Sequence, residues 1–271
     1  MIRDITIGQY YPADSVLHKL DPRVKLAGTL LFLISLFLFD GFFGYVIAGL
    51  FLLTVIKLSK VPFPFIVRGL KAIVLLMVFT VAFNLFLTSG EVIWQWKFLK
   101  ITKEGLRTAV FMILRLTFLI IGSSLMTLTT TPNQLTDGLE TGLRPLKKLH
   151  VPVHEISMMM SIALRFIPIL LEETDKIMKA QQARGADFEE GKLMERAKAL
   201  IPILVPLFVS AFRRANDLAM AMEARCYHGG EGRTKMKPLK YEKRDMAAYL
   251  CMLAYLVLLV GTDRLIGGLW R

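Results

Sequence analysis

Five stretches of the chain are almost continuously hydrophobic, and their length gives the first prediction. A helix needs about 20 apolar residues to cross the hydrocarbon layer of a membrane. The five stretches approach that length and are separated by polar segments; they cover residues 24–39, 42–58, 66–88, 106–130 and 246–262. The pattern predicts an all-α, polytopic membrane protein with about five transmembrane helices.

Two other apolar stretches are too short and too interrupted to span. Ser157–Leu171 contains Arg165 and Pro168, and Ala199–Phe212 contains two prolines. Runs of that length are usually interfacial or buried. We predict that both form helices at the membrane surface. A further segment, between Thr131 and the first of them, carries its leucines on one side of a helix: Leu135, Leu139, Leu143 and Leu146. Residues 131–245 therefore hold three amphipathic helices.

Two of these helices repeat the same pattern. One ends in Gln181-Gln182-Ala183-Arg184-Gly185 and the other in Met222-Glu223-Ala224-Arg225-Cys226, with the two arginines 41 positions apart. A shift of 41 also superposes the apolar positions that precede each motif: Ile167, Leu170, Leu171, Thr174, Ile177 and Met178 on Phe208, Ala211, Phe212, Ala215, Leu218 and Ala219. The chain therefore builds one amphipathic helix twice, each ending in an arginine.

An ordinary explanation exists for either motif alone. Basic residues are common in the last turn of a helix, where they face the negative end of the dipole, and Gly185 is a common helix stop. The duplication in register favours a functional interpretation.

Several local signals make narrower predictions. Asp21 caps a helix that Pro22 begins, and residues 61–64 (Val-Pro-Phe-Pro) form a rigid elbow rather than a helix. Gly44, with Ala48 and Gly49, either permits close helix approach or reflects the frequency of small residues in spans. Arg115 lies within a span and contacts either a partner subunit or the lipid headgroups. An acidic residue followed four positions later by a basic one is typical of an exposed helix face, and the chain has two such pairs, Glu172 with Lys176 and Asp175 with Lys179.

Charge predicts the orientation in the membrane. The chain has 34 Lys and Arg against 22 Asp and Glu, and positive loops remain in the cytoplasm. Basic residues at 19–25 and 57–71 place the N-terminus and the second-to-third loop inside, and residues 131–245 carry 19 Lys and Arg against 15 Asp and Glu. The cytoplasmic excess outweighs the weakly basic outer loop 89–105. The basic segment 228–244 is explained by anionic lipid rather than by nucleic acid.

No catalytic or metal chemistry is visible in the sequence. The two cysteines exclude a disulfide framework. His150 and His154 have a possible metal-ligand spacing, but Pro152 lies between them and no third ligand is evident. Residues 229–235 lack the spacing of a phosphate-binding loop, so the chain is not an ATPase by itself. We predict no cofactor and no enzymatic activity.

The chain nevertheless resembles a known family. The segments that carry the resemblance are Ile7-Gly8-Gln9-Tyr10, Leu20-Asp21-Pro22-Arg23-Val24-Lys25-Leu26, Thr131-Pro132 with Leu143-Arg144-Pro145-Leu146, Ala163-Leu164-Arg165-Phe166-Ile167-Pro168, and the two Ala-Arg motifs. Together they are similar to the transmembrane T component (EcfT/CbiQ-like) of energy-coupling factor transporters, related to ABC transporters. The similarity covers nearly the whole chain.

The resemblance implies a non-catalytic scaffold for micronutrient uptake. Two cytoplasmic ABC-type ATPase subunits would dock on the ends of two coupling helices, and a membrane-embedded S component would bind the vitamin. By motif, the docking residues are Ala183, Arg184, Gly185, Ala224, Arg225 and Cys226. Cys226 departs from the family pattern, which has Gly there. The sequence therefore does not decide whether the helix ends at this position.

The implied organisation divides the chain into three parts. Residues 1–130 form a lead and four transmembrane helices, 131–245 a cytoplasmic coupling domain, and 246–271 the last transmembrane helix. The Met-rich surfaces at 158–160 and 220–222 either adapt to different S components or fill an ordinary core. Two alternatives are an enzyme that acts on lipid headgroups and a secondary transporter, although acidic residues are missing from the spans.

Overall fold

The structure, a computed structural model, describes residues 10–39, 41–71, 73–96, 99–186, 188, 194, 198–230, 236 and 238–266. Most of this part of the chain is helical, and the all-α, polytopic fold class is confirmed. Its helices are α1 (Pro22–Ser35), α2 (Phe42–Ser59), α3 (Phe63–Lys71), α4 (Val74–Leu87), α5 (Lys103–Thr129), α6 (Pro132–Gly142), α7 (Val153–Ala183), α8 (Ile201–Ala224) and α9 (Lys243–Ile266), with a 3-10 helix at Arg144–Leu149.

The chain forms two compact units. The core unit comprises Gly8–Leu139 and Leu239–Arg271, and the paired-helix unit contains Glu140–Pro238. Between the two repeated helices the sequence also predicts a charged linker at residues 186–197, and most of it lies outside the described residues. The functional division at residues 130/131 and 245/246 stays a prediction.

The centre of the core unit is a cluster of aromatic and aliphatic side chains from α1, α2, α5 and α9. The rings of Phe51 and Tyr255 stack at 4.3 Å between centroids, and those of Tyr45 and Phe111 at 5.0 Å. A Cβ atom at Gly44 would overlap the Phe39 ring, which lies against the glycine. Gly44 therefore leaves room for the Phe39 side chain, which precedes α2, and the predicted close approach between helices at this position stays a prediction.

The beginning of α1 is tied to the beginning of α9. The Asp21 carboxylate accepts a hydrogen bond from the backbone N–H of Arg23 (2.9 Å), which confirms the predicted cap. The backbone N–H of Asp21 donates to buried Asp245 (2.9 Å), whose other oxygen accepts from the N–H of Glu242 (2.8 Å). Both helix ends thus satisfy their free N–H groups inside the core unit.

Helix lengths correct two predictions about spans. The first predicted span, 24–39, forms only the 14 residues of α1, followed by tight turns through Leu38, which is shorter than an ordinary span. In contrast, α7 runs for 31 residues through Pro168 and is long and apolar enough to cross a membrane, as are α2, α5 and the first 20 residues of α9. The apolar stretch Ser157–Leu171 is thus part of a longer helix that continues through Pro168 and exceeds the length expected for it. Its predicted place at the membrane surface stays a prediction.

The third predicted span, 66–88, is broken. Its two parts, α3 and α4, meet at an angle of 59°. The break falls where basic residues give way to a wholly apolar run, because α3 carries Arg68 and Lys71 whereas α4 contains no charged residue. The predicted elbow at 61–64 is also shorter than expected, since α3 begins at Phe63 and takes Pro64 into its first turn.

Two connections also differ from the prediction. The helix expected to carry leucines from 135 to 146 ends at Gly142, and a 3-10 helix with Pro145 follows. The loop 89–105, predicted to lie outside, contains two antiparallel strands, β1 (Val92–Trp96) and β2 (Leu99–Thr102), with Trp96 opposite Leu99. Thr102 then caps α5 by accepting from the N–H of Gly105 (3.0 Å). The sequence analysis assigned only helices and missed these two short strands.

Arg115 is held by its own chain. Its guanidinium donates to the backbone carbonyl of Phe39 (3.3 Å) and lies 5.5 Å from the ring centre of Phe37. The predicted contact of Arg115 with a partner subunit or with lipid headgroups stays a prediction.

Candidate functional site

The two helices that carry the repeated motif pack against each other in opposite directions. In the paired-helix unit, Glu173 of α7 contacts Arg214 of α8, while Gln181, further along α7, donates to the carbonyl of Pro202, near the start of α8. The two helices are therefore antiparallel. The C-terminal ends of α7 and α8 lie on opposite sides of the Glu173–Arg214 contact.

The Glu173–Arg214 ion pair joins equivalent positions of the repeat. The distance between Arg214 Nη2 and Glu173 Oε2 is 2.8 Å, and both side chains are about one third exposed. The two residues are 41 positions apart, which is the shift that superposes the two repeated helices, so they occupy equivalent positions of the repeat. The sequence analysis missed this pair, although opposite charges at a spacing of 41 could have revealed it.

The pairs predicted on the surface of α7 are not formed. Within the described residues, neither Glu172 with Lys176 nor Asp175 with Lys179 makes an ion pair. Spacing alone brings such side chains near each other, but exposed pairs gain little free energy from holding two long side chains in one geometry.

α7 ends in a Schellman motif. The N–H of Gly185 donates to the carbonyl of Gln182 (2.9 Å), and the N–H of Ala186 donates to the carbonyl of Gln181 (3.0 Å). Gly185 has φ +88°, the left-handed conformation that this motif requires. Arg184 is the last residue before the reversal, with φ −87° and ψ 5°.

The end of α8 repeats this geometry bond for bond. Cys226 N–H donates to the carbonyl of Glu223 (2.9 Å), and Tyr227 N–H donates to that of Met222 (3.0 Å). Cys226 takes the left-handed conformation with φ +53°, and Arg225 has φ −95° and ψ 15°. The helix stop left open by the sequence is therefore formed with Cys in place of Gly.

The six candidate residues are all exposed. Ala183, Arg184 and Gly185 protrude at the end of α7, and their counterparts at positions 224–226 do so at the end of α8. Residues 181 and 222, and likewise 186 and 227, are half-buried at the bases of the two ends. In the described part of the chain neither Arg184 nor Arg225 makes an ion pair. Within the described residues the site thus presents two exposed cationic ends with the same backbone geometry.

The paired helices also expose apolar surface. On α8 one stripe at helical spacing is about half exposed or more: Ile201, Leu204, Val205, Phe208, Val209 and Phe212. Met159 on α7 and Met220 on α8 are 57% and 60% exposed. These two methionines therefore do not fill an internal core of this chain.

The histidines singled out by spacing do not converge. His150 ends the 3-10 helix in a left-handed conformation, whereas His154 lies in the first turn of α7 and contacts Glu140 (3.1 Å). Ser157 donates to the other oxygen of Glu140 (3.0 Å). Among the described residues no group of three His, Cys, Asp or Glu side chains could hold a metal ion.

Sequence comparison with known proteins identifies the family of this chain. A family model described as "Cobalt transport protein" (CbiQ) matches residues 13–236. A protein of Clostridium kluyveri named energy-coupling factor transporter transmembrane protein EcfT is 58% identical over 255 residues, covering 93% of this chain and 94% of that relative.

More distant organisms have relatives of the same name. The Bacillus subtilis protein is 49% identical over 260 residues, and that of Lactococcus lactis is 46% identical over 260 residues. In both cases the match covers 96% of this chain and 98% of the relative. The chain therefore belongs to the CbiQ/EcfT family of transmembrane components of energy-coupling factor transporters.

Proposed function

We propose that this protein is the non-catalytic scaffold of an energy-coupling factor transporter. It carries motion from two ABC-type ATPase subunits to a membrane-embedded S component that binds a vitamin or related micronutrient. The observation that carries the proposal is the pair of matched helix ends, each with an exposed arginine before the same backbone reversal.

The antiparallel helix pair suits the docking of two subunits. Arg184 follows Glu173 by 11 residues, and Arg225 follows Arg214 by the same number. At 1.5 Å per residue, each arginine lies about 16 Å along its helix from the central ion pair. Two identical contacts, one at each end, fit two ATPase subunits of similar shape.

The chemistry of the ends favours a carboxylate-bearing groove on each ATPase. A guanidinium remains charged in a protein interface and binds carboxylates through two parallel hydrogen bonds. The small neighbours Ala183 and Ala224 leave room for a groove wall to approach each helix end. The backbone reversal fixes the direction of each arginine, so a force on the groove is transmitted to the helix.

The exposed apolar surface supports a second contact. The stripe on α8 and the methionines on both helices are suited to an apolar partner in or at the membrane. Methionine side chains repack easily, which allows one surface to accept several S components. The S component, rather than this chain, then selects the substrate.

The proposed location is the cell membrane, with the N-terminus and the coupling domain in the cytoplasm. This orientation places the arginine ends in the compartment that holds ATP. Membership of a transporter family does not favour the alternative of an enzyme acting on lipid headgroups.

Alanine substitution of the two arginines tests the proposal. We expect Arg184→Ala and Arg225→Ala each to weaken the binding of one ATPase by about 30-fold or more, the loss typical of a central interface arginine. The double variant should lose both ATPases and all uptake. Co-purification from native membranes measures association, and uptake of labelled vitamin measures function.

Lys179→Ala on α7 and Arg213→Ala on α8 are the matched controls. Both remove an exposed cation from the same helices without touching their ends, so assembly and uptake should be unchanged. If the double arginine variant still assembled and transported normally, the docking roles would be wrong.

A further inference from the structure

An apolar cavity lies at one end of the core unit. Its volume is about 340 Å³, and it is a partly open space bordered by the segment before α1, the start of α1 and α9 and the end of α2 and α5. Its walls include Phe32, Val55, Met126, Ala248 and Met252. The volume lies within the range of sites that bind small molecules.

A basic depression opens beside the cavity. Its volume is about 370 Å³, and its lining residues include Lys19, Lys57, Lys60 and Arg244 together with Asp14. The two spaces share wall residues, namely Val16, Leu58 and Arg244. A single elongated molecule can therefore occupy both.

Part of the positive charge in the depression is already compensated. Lys19 pairs with Asp14 at 2.6 Å, and its hydrogen bond keeps the pKa of that carboxyl below the usual value. Arg244 pairs with Glu242. Within the described residues neither Lys57 nor Lys60 makes an ion pair. Lys57 and Lys60 thus make no direct ion pair with the described residues and are available to an anionic ligand, although Lys60 also feels the charge of Asp14.

The combination selects a ligand with two chemical parts. A soluble anion would use the lysines and leave the apolar cavity to water, and a neutral hydrocarbon would leave the lysines without a partner. A lipid with an anionic headgroup satisfies both parts, because its phosphate meets the cations while its acyl chain leaves water. The lysines follow the apolar part of α2, where a bilayer would present its headgroups.

We propose that the core unit binds one anionic glycerophospholipid, with its headgroup in the depression at Lys57 and Lys60 and the first part of an acyl chain in the cavity. The lining residues of the cavity extend from Leu58 back to Phe51 on α2 and from Arg244 to Met252 on α9, about 10 to 12 Å along each helix. The bound lipid fills the space between these four helix ends and holds them together.

Lipid titration of the delipidated full-length protein tests the proposal. Native mass spectrometry would count bound dioleoyl phosphatidylglycerol and dioleoyl phosphatidylcholine. Each basic residue near an anionic lipid contributes about a fivefold gain, so we expect a single site that prefers phosphatidylglycerol by roughly 25-fold. Lys57→Gln with Lys60→Gln should reduce that preference to near one.

A second variant tests the cavity. Ala248→Leu places a larger side chain in the cavity wall, and we expect it to weaken the binding of both lipids by about tenfold or more, because it displaces the acyl chain. The matched control is Ala254→Leu, an exposed position on the same helix that does not line the cavity. Lys147→Gln with Lys148→Gln, two exposed cations of the paired-helix unit, controls for the loss of charge. Both controls should leave binding unchanged.

Competition with the free headgroup distinguishes a lipid from a soluble anion as the ligand of this site. Glycerophosphoglycerol, the headgroup without chains, should not displace the lipid at millimolar concentration. Displacement by the free headgroup would indicate an anion site and overturn the proposal. So would equal binding of the two lipids by the unmodified protein, unchanged affinity and preference in the Ala248→Leu variant, or no lipid binding at all.

Discussion

At the scale of single residues, the candidate site depends on two positions in the left-handed conformation. Gly185 adopts it without strain, but Cys226 has a Cβ that this conformation disfavours by about 1 to 2 kcal/mol. The hydrogen bonds of the Schellman motif are the same at both ends. The protein thus maintains the geometry of the arginine at the end of α8 with a residue that is intrinsically less suited to it.

Substitutions at Cys226 should change the stability of that helix end. We expect Cys226→Gly to stabilise the last turn of α8 by about 1 kcal/mol, and Cys226→Val to destabilise it by at least as much, because β-branched residues tolerate positive φ poorly. Hydrogen exchange of a peptide covering residues 215–230 measures the effect, and 1 kcal/mol corresponds to about a fivefold change in protection.

Gly185→Cys is the matching substitution at the other end and should loosen the last turn of α7. Cys251→Ala, within α9, controls for the loss of a thiol and should leave exchange near residue 226 unchanged. Equal protection in the Gly, Cys and Val forms at position 226 would mean that the backbone conformation there is not constrained.

At the scale of elements, the repeat in sequence becomes an antiparallel helix pair joined at equivalent positions. Glu173 and Arg214 are partly shielded, so their attraction exceeds that of a fully exposed pair. The neighbouring residues Glu172 and Arg213 have the same spacing of 41 and the same charges, but both are exposed and do not pair. Glu172 and Arg213 therefore serve as an internal control for the Glu173–Arg214 ion pair.

A double-mutant cycle should separate the two pairs. We expect Glu173→Gln and Arg214→Gln to be non-additive, with a coupling energy of about 0.5 to 1.5 kcal/mol in the free energy of unfolding. The exchanged pair, Glu173→Arg with Arg214→Glu, should restore much of the stability lost by either single reversal. Chemical unfolding in detergent provides the measurement.

The same cycle at Glu172 and Arg213 should be additive within about 0.3 kcal/mol. Coupling of the same size at both pairs would show that the effect comes from general charge balance rather than from the contact. In that case the packing of α7 on α8 would depend on its apolar face alone.

At the scale of the whole molecule, function depends on which side of the membrane holds the arginine ends. The distribution of Lys and Arg predicts that the coupling domain is cytoplasmic. The lengths of α1 and α7 make this prediction important to test, because α1 is shorter than an ordinary span and α7 is long enough to be one. A change in the number of crossings would move one end of the chain to the other side.

Cysteine labelling tests the orientation directly. In a Cys251→Ser background expressed without ATPase subunits, exposed Cys226 should react with a membrane-impermeant maleimide in inverted vesicles and not in intact cells. Ser89→Cys, introduced at an exposed position before the β hairpin with Cys226→Ser, should show the reverse pattern. Labelling of Cys226 from outside intact cells would contradict the cytoplasmic location of the site.

Much of the architecture follows from local sequence because the forces that determine it are local. Long apolar runs must be helical in a membrane, since every backbone polar group needs a partner within its own segment. The Asp21 cap and the Thr131–Pro132 helix start also depend on neighbouring residues, and both form as predicted. The repeat of 41 residues likewise located the two candidate ends from pattern alone.

Tertiary structure decided what local pattern leaves open. The carbonyl that Arg115 contacts and the carboxylate that accepts from the N–H of Asp21 belong to residues 76 and 224 positions away, so neither contact is visible in a local pattern. The sequence by itself determined the family, the all-α polytopic class and the position of both arginines, but not which helices are long enough to span. Only the fold determined that α7 and α8 run antiparallel and that Cys226 adopts the conformation of glycine, because both result from contacts and backbone hydrogen bonds that single-residue preferences oppose or do not specify.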